Sequence, residues 1–165
     1  MAKLDNLVKE FLNGNKDSFD LIYEETKKSV YLSIYQIIKD KSAIDDLIQD
    51  TYLKAIEKMD SYKLGSNFNA WISTIARNNA INYYNKRSRV DLIEDKDYDE
   101  DLSSNDSTPL IDMALSILDG DEKDVFVYHI ILGYKFKDIS KILDSTLKHV
   151  FYIYQKAIKK IKEQL

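Results

Sequence analysis

The sequence predicts an all-α protein of two small helical domains joined by an acidic linker, the second domain a helix-turn-helix. Three observations predict it. Apolar residues recur at spacings of three and four along most of the chain, which is the helical period. Four Gly and one Pro in 165 residues are too few for the turns of a sandwich or barrel. One stretch, 90–109, loses all periodicity in a run of acids and ends at the single proline.

The elements follow in order. Leu4 to Leu12 reads as a short helix, and Gly14-Asn15 breaks it from a long one, Ser18 to Ile38. In the next helix Ile44, Leu47, Ile48, Ala55, Ile56 and Met59 form one apolar stripe. Asp45, Asp46, Gln49 and Asp50 lie off that stripe near the helix start. Acids there complement the helix dipole, but so many in one turn also suit a basic partner. Gly65-Ser66-Asn67 makes a loop. The helix from Phe68 to Arg89 then carries Phe68, Trp71, Ile72, Ile75, Ala76 and Tyr83 on its apolar stripe, with Trp71 a core residue rather than a stacking platform.

That last helix is unusual. Asn78, Asn79, Asn82 and Asn85 all lie on it, although Asn is a poor helix former. Asn78, Asn82 and Asn85 share one face. Arg77, Lys86, Arg87 and Arg89 bring four positive charges, with no acid between Arg77 and Arg89. Twelve Tyr, abundant Lys and Asn, and one Pro are what an AT-rich coding sequence yields, so the asparagines alone carry little. Joined to the basic helix end they point to nucleic acid, because amides read base edges and Arg and Lys hold phosphates.

After the linker, Ile111, Ala114, Leu115 and Leu118 begin a second helical domain over 110–165. Asp119-Gly120-Asp121 is a break and cap. Val125, Phe126 and His129 to Leu132 continue to Gly133. A helix from Phe136 to Leu143, a gap at Asp144-Ser145 and a long helix from Thr146 to Gln164 give helix-turn-helix spacing. Asp144 stands at the turn, and Asp adopts a left-handed conformation, though less freely than Gly. Phe151, Tyr152, Ile153 and Tyr154 cannot all point inward, so the sequence predicts at least one large apolar group on the surface of the last helix.

Charge is segregated. The net charge is −4, but Val90 to Thr108 holds eight acids against Lys96. The rest of the chain has 23 basic and 20 acidic residues. An acidic average therefore leaves room for a local basic surface. No apolar run spans a bilayer, and the apolar stretch at the start is too short for a signal peptide. There is no Cys, hence no disulfide framework or thiolate metal site. His129 and His149 have no spacing for a metal or a catalytic triad, and there is no phosphate-binding Gly loop. The expectation is a cytoplasmic protein with no catalytic residues, metal or cofactor and no membrane insertion.

Three runs resemble region 2 of the bacterial RNA polymerase sigma factors of the extracytoplasmic-function (group 4) type. They are Ser18 to Tyr23, Ala43 to Ile56 (AIDDLIQDTYLKAI) and Phe68 to Arg89 (FNAWISTIARNNAINYYNKRSR). The second domain resembles sigma region 4 through Gly133-Tyr134, Ile139-Ser140, Ile142-Leu143 and Ala157 to Ile161. The resemblance implies a region 2-like bundle over 1–89, an acidic linker over 90–109 that runs toward the RNA exit path, and a region 4-like helix-turn-helix over 110–165. It implies core RNA polymerase as partner, through the β′ coiled coil and the β flap, and promoter DNA as the second partner, and it admits an anti-sigma factor.

Carried over residue by residue, Asp46, Gln49 and Asp50, with Asp45 beside them, bind the polymerase. The loop from about Lys63 to Asn69 captures a flipped base of the −10 element. Asn67, Asn78 and Asn82 make polar contacts to the non-template strand, and Arg77, Lys86, Arg87 and Arg89 hold its phosphates. In the second domain Lys148, His149 and Lys156 would carry whatever duplex DNA contact the aromatic Phe151 to Tyr154 run leaves. A sigma-like interaction module that lost normal −35 recognition is the alternative reading. A plain dimeric helix-turn-helix regulator is a third, and the region 2 match argues against it.

Overall fold

The computed structural model describes residues 3–88 in full, the helical backbone of 89 and 90, and residues 109–165. The expected acidic linker lies outside the described residues, apart from Val90 and Pro109. Among the described residues all regular structure is helical. The chain divides into two compact units, Met1–Tyr98 and Asp99–Leu165.

The first unit contains α1 (Lys3–Leu12), α2 (Ser18–Tyr35), α3 (Lys41–Lys58) and α4 (Phe68–Val90), with one 3₁₀ turn at Met59–Ser61. α2 packs against α1, α3 and α4, and α3 packs against α4. Val8, Val30, Ile34, Ala55, Ile72 and Ala76 are wholly buried in this bundle. α2 stops earlier than its pattern suggests, because Ile37 N–H bonds back three residues to Ile34 O and tightens the last turn. α3 begins at Asp40, whose carboxylate accepts the Ser42 N–H at 3.1 Å, an N-cap that satisfies one orphan donor.

The buried stripe of α3 differs from expectation. Ile56 is 40% exposed, and Leu53, at 65%, is more so. Thr51 and Tyr52 are buried instead. Their hydroxyls allow it: Thr51 donates to Leu47 O at 2.7 Å, and Tyr52 shares a 2.7 Å hydrogen bond with Thr26. A buried hydroxyl with a partner costs little, so α3 turns these residues inward and leaves two aliphatic side chains outside. Burial pushes the Tyr52 phenol up to about 12.

The second unit contains α5 (Pro109–Ile117), α6 (Gly120–Phe126), α7 (Phe136–Ile142) and α8 (Leu147–Glu163). α8 packs on each of the other three. Its core joins Ala114, Leu118, Phe126, Ala157 and Ile161. A π-helical turn, Val127–Ile131, follows α6 directly, a feature that apolar periodicity does not announce. It buries Tyr128 completely and stacks it on Tyr134 at 5.6 Å. Between α7 and α8, Asp144 takes the left-handed conformation at φ 50°, which Asp tolerates better than most side chains. His129 is a packed residue: its Nδ1 lies 2.8 Å from Tyr134 O, a carbonyl that can only accept, so Nδ1 carries the hydrogen.

Glu122 ties α6 to α8. Its carboxylate is buried and accepts from Lys160 Nζ at 2.7 Å and from Asp119 N–H at 3.3 Å. Burial pushes its pKa up, but Lys160, the Asp119 N–H and Lys156 outweigh that and hold it below its ordinary 4.5. A depressed carboxylate stabilises the fold above the unfolded pKa, and that contribution is lost as pH falls through the folded one. Acid should therefore loosen the second unit below about pH 4.5. Glu122→Gln, which cannot ionise, should flatten that acid limb and lower the neutral-pH melting temperature. The scale is roughly 4–8 °C per kcal/mol for a domain of this size. Thermal melts of both proteins from neutral to acid pH check it.

Candidate functional site

Asp45, Asp46, Gln49 and Asp50 are all exposed on the first half of α3. Asp46, Gln49, Asp50 and Leu53 stand at i, i+3, i+4 and i+7, so they form one strip of helix surface. The Asp50 carboxylate has one weak ion pair, 3.9 Å from Lys54 Nζ. The strip is therefore an acidic patch with Leu53 at its edge and Ile56 a turn further on. Sequence reasoning found the acids and missed Leu53. The available signal was a leucine outside the apolar stripe and one turn beyond the carboxylates.

Asn78, Asn79, Asn82 and Asn85 of α4 divide by burial. Asn79 is buried and belongs to the fold. It donates to Thr51 Oγ1 at 3.3 Å and accepts from Lys54 Nζ at 2.6 Å, locking α4 to α3. Asn78, Asn82 and Asn85 are exposed and form the amide edge their spacing predicts. Lys86 is exposed beside them, and Arg77 is half-buried.

Two candidate residues have structural duties as well. The Asn67 carbonyl oxygen Oδ1 accepts Ala70 N–H at 3.2 Å, so Asn67 caps α4. Arg87 Nη1 donates to Tyr83 Oη at 2.6 Å and to Asp40 Oδ2 at 3.3 Å. The Tyr83 hydroxyl, then Asp40, raises the guanidinium pKa further. Arg87 thus links the basic end of α4 to the cap of α3. The Arg89 side chain lies outside the described residues.

The loop ahead of α4 is exposed at Lys63, Leu64, Gly65 and Ser66. Behind it Tyr62, Phe68 and Trp71 form an aromatic cluster. The Tyr62 ring lies edge-on to Phe68 at 5.0 Å and 5.5 Å from Trp71. Trp71 is half-buried in this cluster.

On α8, Lys148 and His149 are exposed at the helix start, where Thr146 Oγ1 caps the His149 N–H at 3.1 Å. Lys156 faces Glu122 at 4.0 Å. Ile153 is buried and Tyr154 half-buried, while Phe151 is 47% and Tyr152 59% exposed. Two large apolar groups therefore stand on the surface, as the run of four requires. Among the described residues no cluster of His, Cys, Asp and Glu could hold a metal ion, and no helix is long and apolar enough to cross a membrane.

The sequence model of sigma-70 region 2 matches residues 22–90, which hold α3, α4 and most of α2. Among curated relatives, the ECF RNA polymerase sigma factor BldN of Streptomyces coelicolor is 33% identical over 92 residues, covering 55% of this chain and 34% of that protein. The ECF RNA polymerase sigma factor SigX of Bacillus subtilis is 21% identical over 164 residues, covering 91% of this chain and 84% of its own. Residues 22–90 thus carry the sigma-70 region 2 pattern, and the chain is similar to extracytoplasmic-function sigma factors. These similarities support a sigma-factor role in transcription initiation. The match to BldN spans about a third of that relative's length, whereas SigX is matched over most of its own.

Solved sigma factors share the fold. The sigma factor RpoE from Bartonella quintana, in complex with the anti-sigma factor NepR, superimposes with a TM-score of 0.67 at 23% identity, covering 88% of this chain and 94% of that one. CnrH, in complex with the cytosolic domain of CnrY, gives 0.68 at 18% identity, covering 97% and 95%.

Proposed function

We propose that this chain acts as a sigma factor, binding core RNA polymerase through the α3 strip and opening the −10 element with the loop and exposed face of α4. Asp46, Gln49 and Asp50 meet the polymerase β′ coiled coil, with Asp45 beside them and Leu53 adding apolar area. The loop from about Lys63 to Asn69 captures one flipped base. Asn78 and Asn82 hydrogen-bond the non-template strand, and Arg77, Lys86, Arg87 and Arg89 neutralise its phosphates. Unpaired bases expose the edges that such side chains read. The observation that carries this reading is the sorting of the α4 amides. The fold uses Asn79 and leaves Asn78, Asn82 and Asn85 exposed in a row that leads to Lys86.

The domains divide the work accordingly: 1–89 for polymerase and −10 binding, 90–109 as acidic linker, and 110–165 for the β flap and upstream duplex. Relatives of this fold are bound by anti-sigma factors, and such a protein is a natural further partner here. Run-off transcription with core polymerase on a library of promoter fragments tests the whole reading. Transcripts that depend on the added chain support it, and none across the library sinks it. Replacing Arg87 and Arg89 with Ala should leave core binding intact and reduce permanganate-reactive, melted promoter severalfold. Normal melting in that variant would remove the phosphate role.

A second reading is favoured by α8. Phe151 and Tyr152 stand where phosphate-binding cations would serve duplex DNA better. On that reading 110–165 contacts the −35 element weakly, through Lys148, His149 and Lys156, or binds protein. Binding isotherms over a salt series separate the two, because each phosphate contact adds to the salt slope. A tight, sequence-specific complex abolished by Phe151→Ala would mean that the aromatic helix reads DNA.

A further inference from the structure

α1 precedes the residues matched by the family model, yet it reaches into the loop ahead of α4. Asp5, on its first turn, is 2% exposed. Its Oδ1 accepts from Tyr62 Oη at 2.7 Å, and its Oδ2 accepts from the Gly65 N–H at 3.0 Å. The Tyr62 hydroxyl also lies 2.7 Å from Ser66 O. One buried carboxylate therefore grips both ends of the loop. A buried carboxylate is costly unless its oxygens are hydrogen-bonded, so it accepts few alternative loop shapes.

Gly65 completes the device. Its φ of +94° lies in a region that side chains disfavour. That turn sends the Gly65 N–H inward to Asp5, while Lys63, Leu64 and Ser66 remain exposed on the outer side. Val8, also on α1, is wholly buried and Leu7 nearly so, which fixes α1 and therefore the carboxylate in place. The polar backbone of the loop is thus tied from behind, and its front is held open in one conformation.

We propose that Asp5 is a positioning residue for base capture: it presets the 62–66 loop so that its outer surface receives the flipped base without first being ordered. The proposal rests on the reading of residues 63–69 as the capturing loop. Preorganisation of this kind removes the ordering cost that binding otherwise carries.

The chemistry predicts an unequal effect of two substitutions. Asp5→Ala removes both acceptors. Asp5→Asn keeps them satisfied: its Oδ1 accepts the Gly65 N–H, its Nδ2 donates to Tyr62 Oη, and the Tyr62 hydrogen then goes to Ser66 O. Asn should therefore rescue what Ala loses, although it carries no charge.

The test uses the full chain assembled with core polymerase. The probe is a single-stranded DNA selected from a random pool by the wild-type complex, then remade with one abasic site at each position in turn. Wild type should lose roughly 5- to 100-fold in affinity at one position, the range for losing one captured base. In Asp5→Ala that penalty should fall below about twofold with core affinity unchanged, and Asp5→Asn should restore it. In the free full-length chain, hydrogen exchange at the Gly65 amide should quicken about tenfold or more in Asp5→Ala and stay slow in Asp5→Asn. If Asp5→Ala fails to fold, Tyr62→Phe keeps the ring packing, removes the hydroxyl and should lower the abasic penalty in the same direction. A full penalty in Asp5→Ala, or in Tyr62→Phe in its place, overturns the role of Asp5 alone, as does unchanged Gly65 exchange. A wild-type complex indifferent to every abasic position overturns the loop-capture reading and this inference with it.

Discussion

Reversing the charge of Asp46 and Asp50 together, by Lys at both positions, should weaken binding to core RNA polymerase by about 2–5 kcal/mol, the cost of breaking interfacial charge pairs. That corresponds to roughly 30- to several-thousand-fold in Kd. Both side chains are exposed, and among the described residues Asp50 pairs weakly, at 3.9 Å, with Lys54, so the fold should lose little. Circular dichroism should be unchanged, and fluorescence titration against core polymerase reads the affinity. The loss should shrink as salt rises, because exposed charge pairs are screened. Leu53→Ala should add a smaller, salt-insensitive loss, since it removes apolar area rather than charge. Unchanged affinity in the double variant would mean that the acids serve only the helix dipole.

The acids of α3 were legible because charge on a helix surface needs no packing partner to be recognised. The stripe beneath them was less so. Hydropathy counts Ile56 as core and Thr51 as surface, but two hydrogen bonds reverse the order: Thr51 to Leu47 O and Tyr52 to Thr26. Helix order and the helix-turn-helix were legible from periodicity and from the residues that break it. The π-helical turn was not, because its apolar residues satisfy the ordinary helical period equally well.

The site divides in the same way. Residue type and spacing identified the amide edge of α4 but could not tell Asn79 from Asn78, because burial depends on where α3 lies. Nor could they reveal that Arg87 is already held by Asp40, a partner forty-seven positions away. Asp5 was invisible for the same reason: its partners are Tyr62 and Gly65, and a lone acid in the first turn of a helix reads as a dipole charge. Local pattern reports which chemistry is present, and long-range contact decides which of it the fold has already used.

That distinction yields a decisive expectation for α4. Replacing Asn78 and Asn82 with Ala should lower affinity for the single-stranded −10 sequence by about 2–6 kcal/mol, given about 1–3 kcal/mol for each well-made amide-to-base pairing. The loss is roughly 30- to 20,000-fold in Kd. The protein itself should be no less stable. Both residues are exposed in a helix interior, where Ala exceeds Asn in helix propensity by roughly 0.7 kcal/mol per residue. A loss of DNA affinity at an equal or higher melting temperature therefore cannot come from unfolding. Asn79→Ala should do the reverse. It removes the two hydrogen bonds that tie α4 to α3, from Asn79 to Thr51 and from Lys54 to Asn79, at a cost of about 1–3 kcal/mol in stability, while the outer face of α4 keeps its amides. Melting curves and oligonucleotide titrations on the two variants form a crossed pair. If Asn78 and Asn82 prove dispensable for strand binding, the asparagines of this helix are compositional, and the phosphate contacts alone must hold the strand.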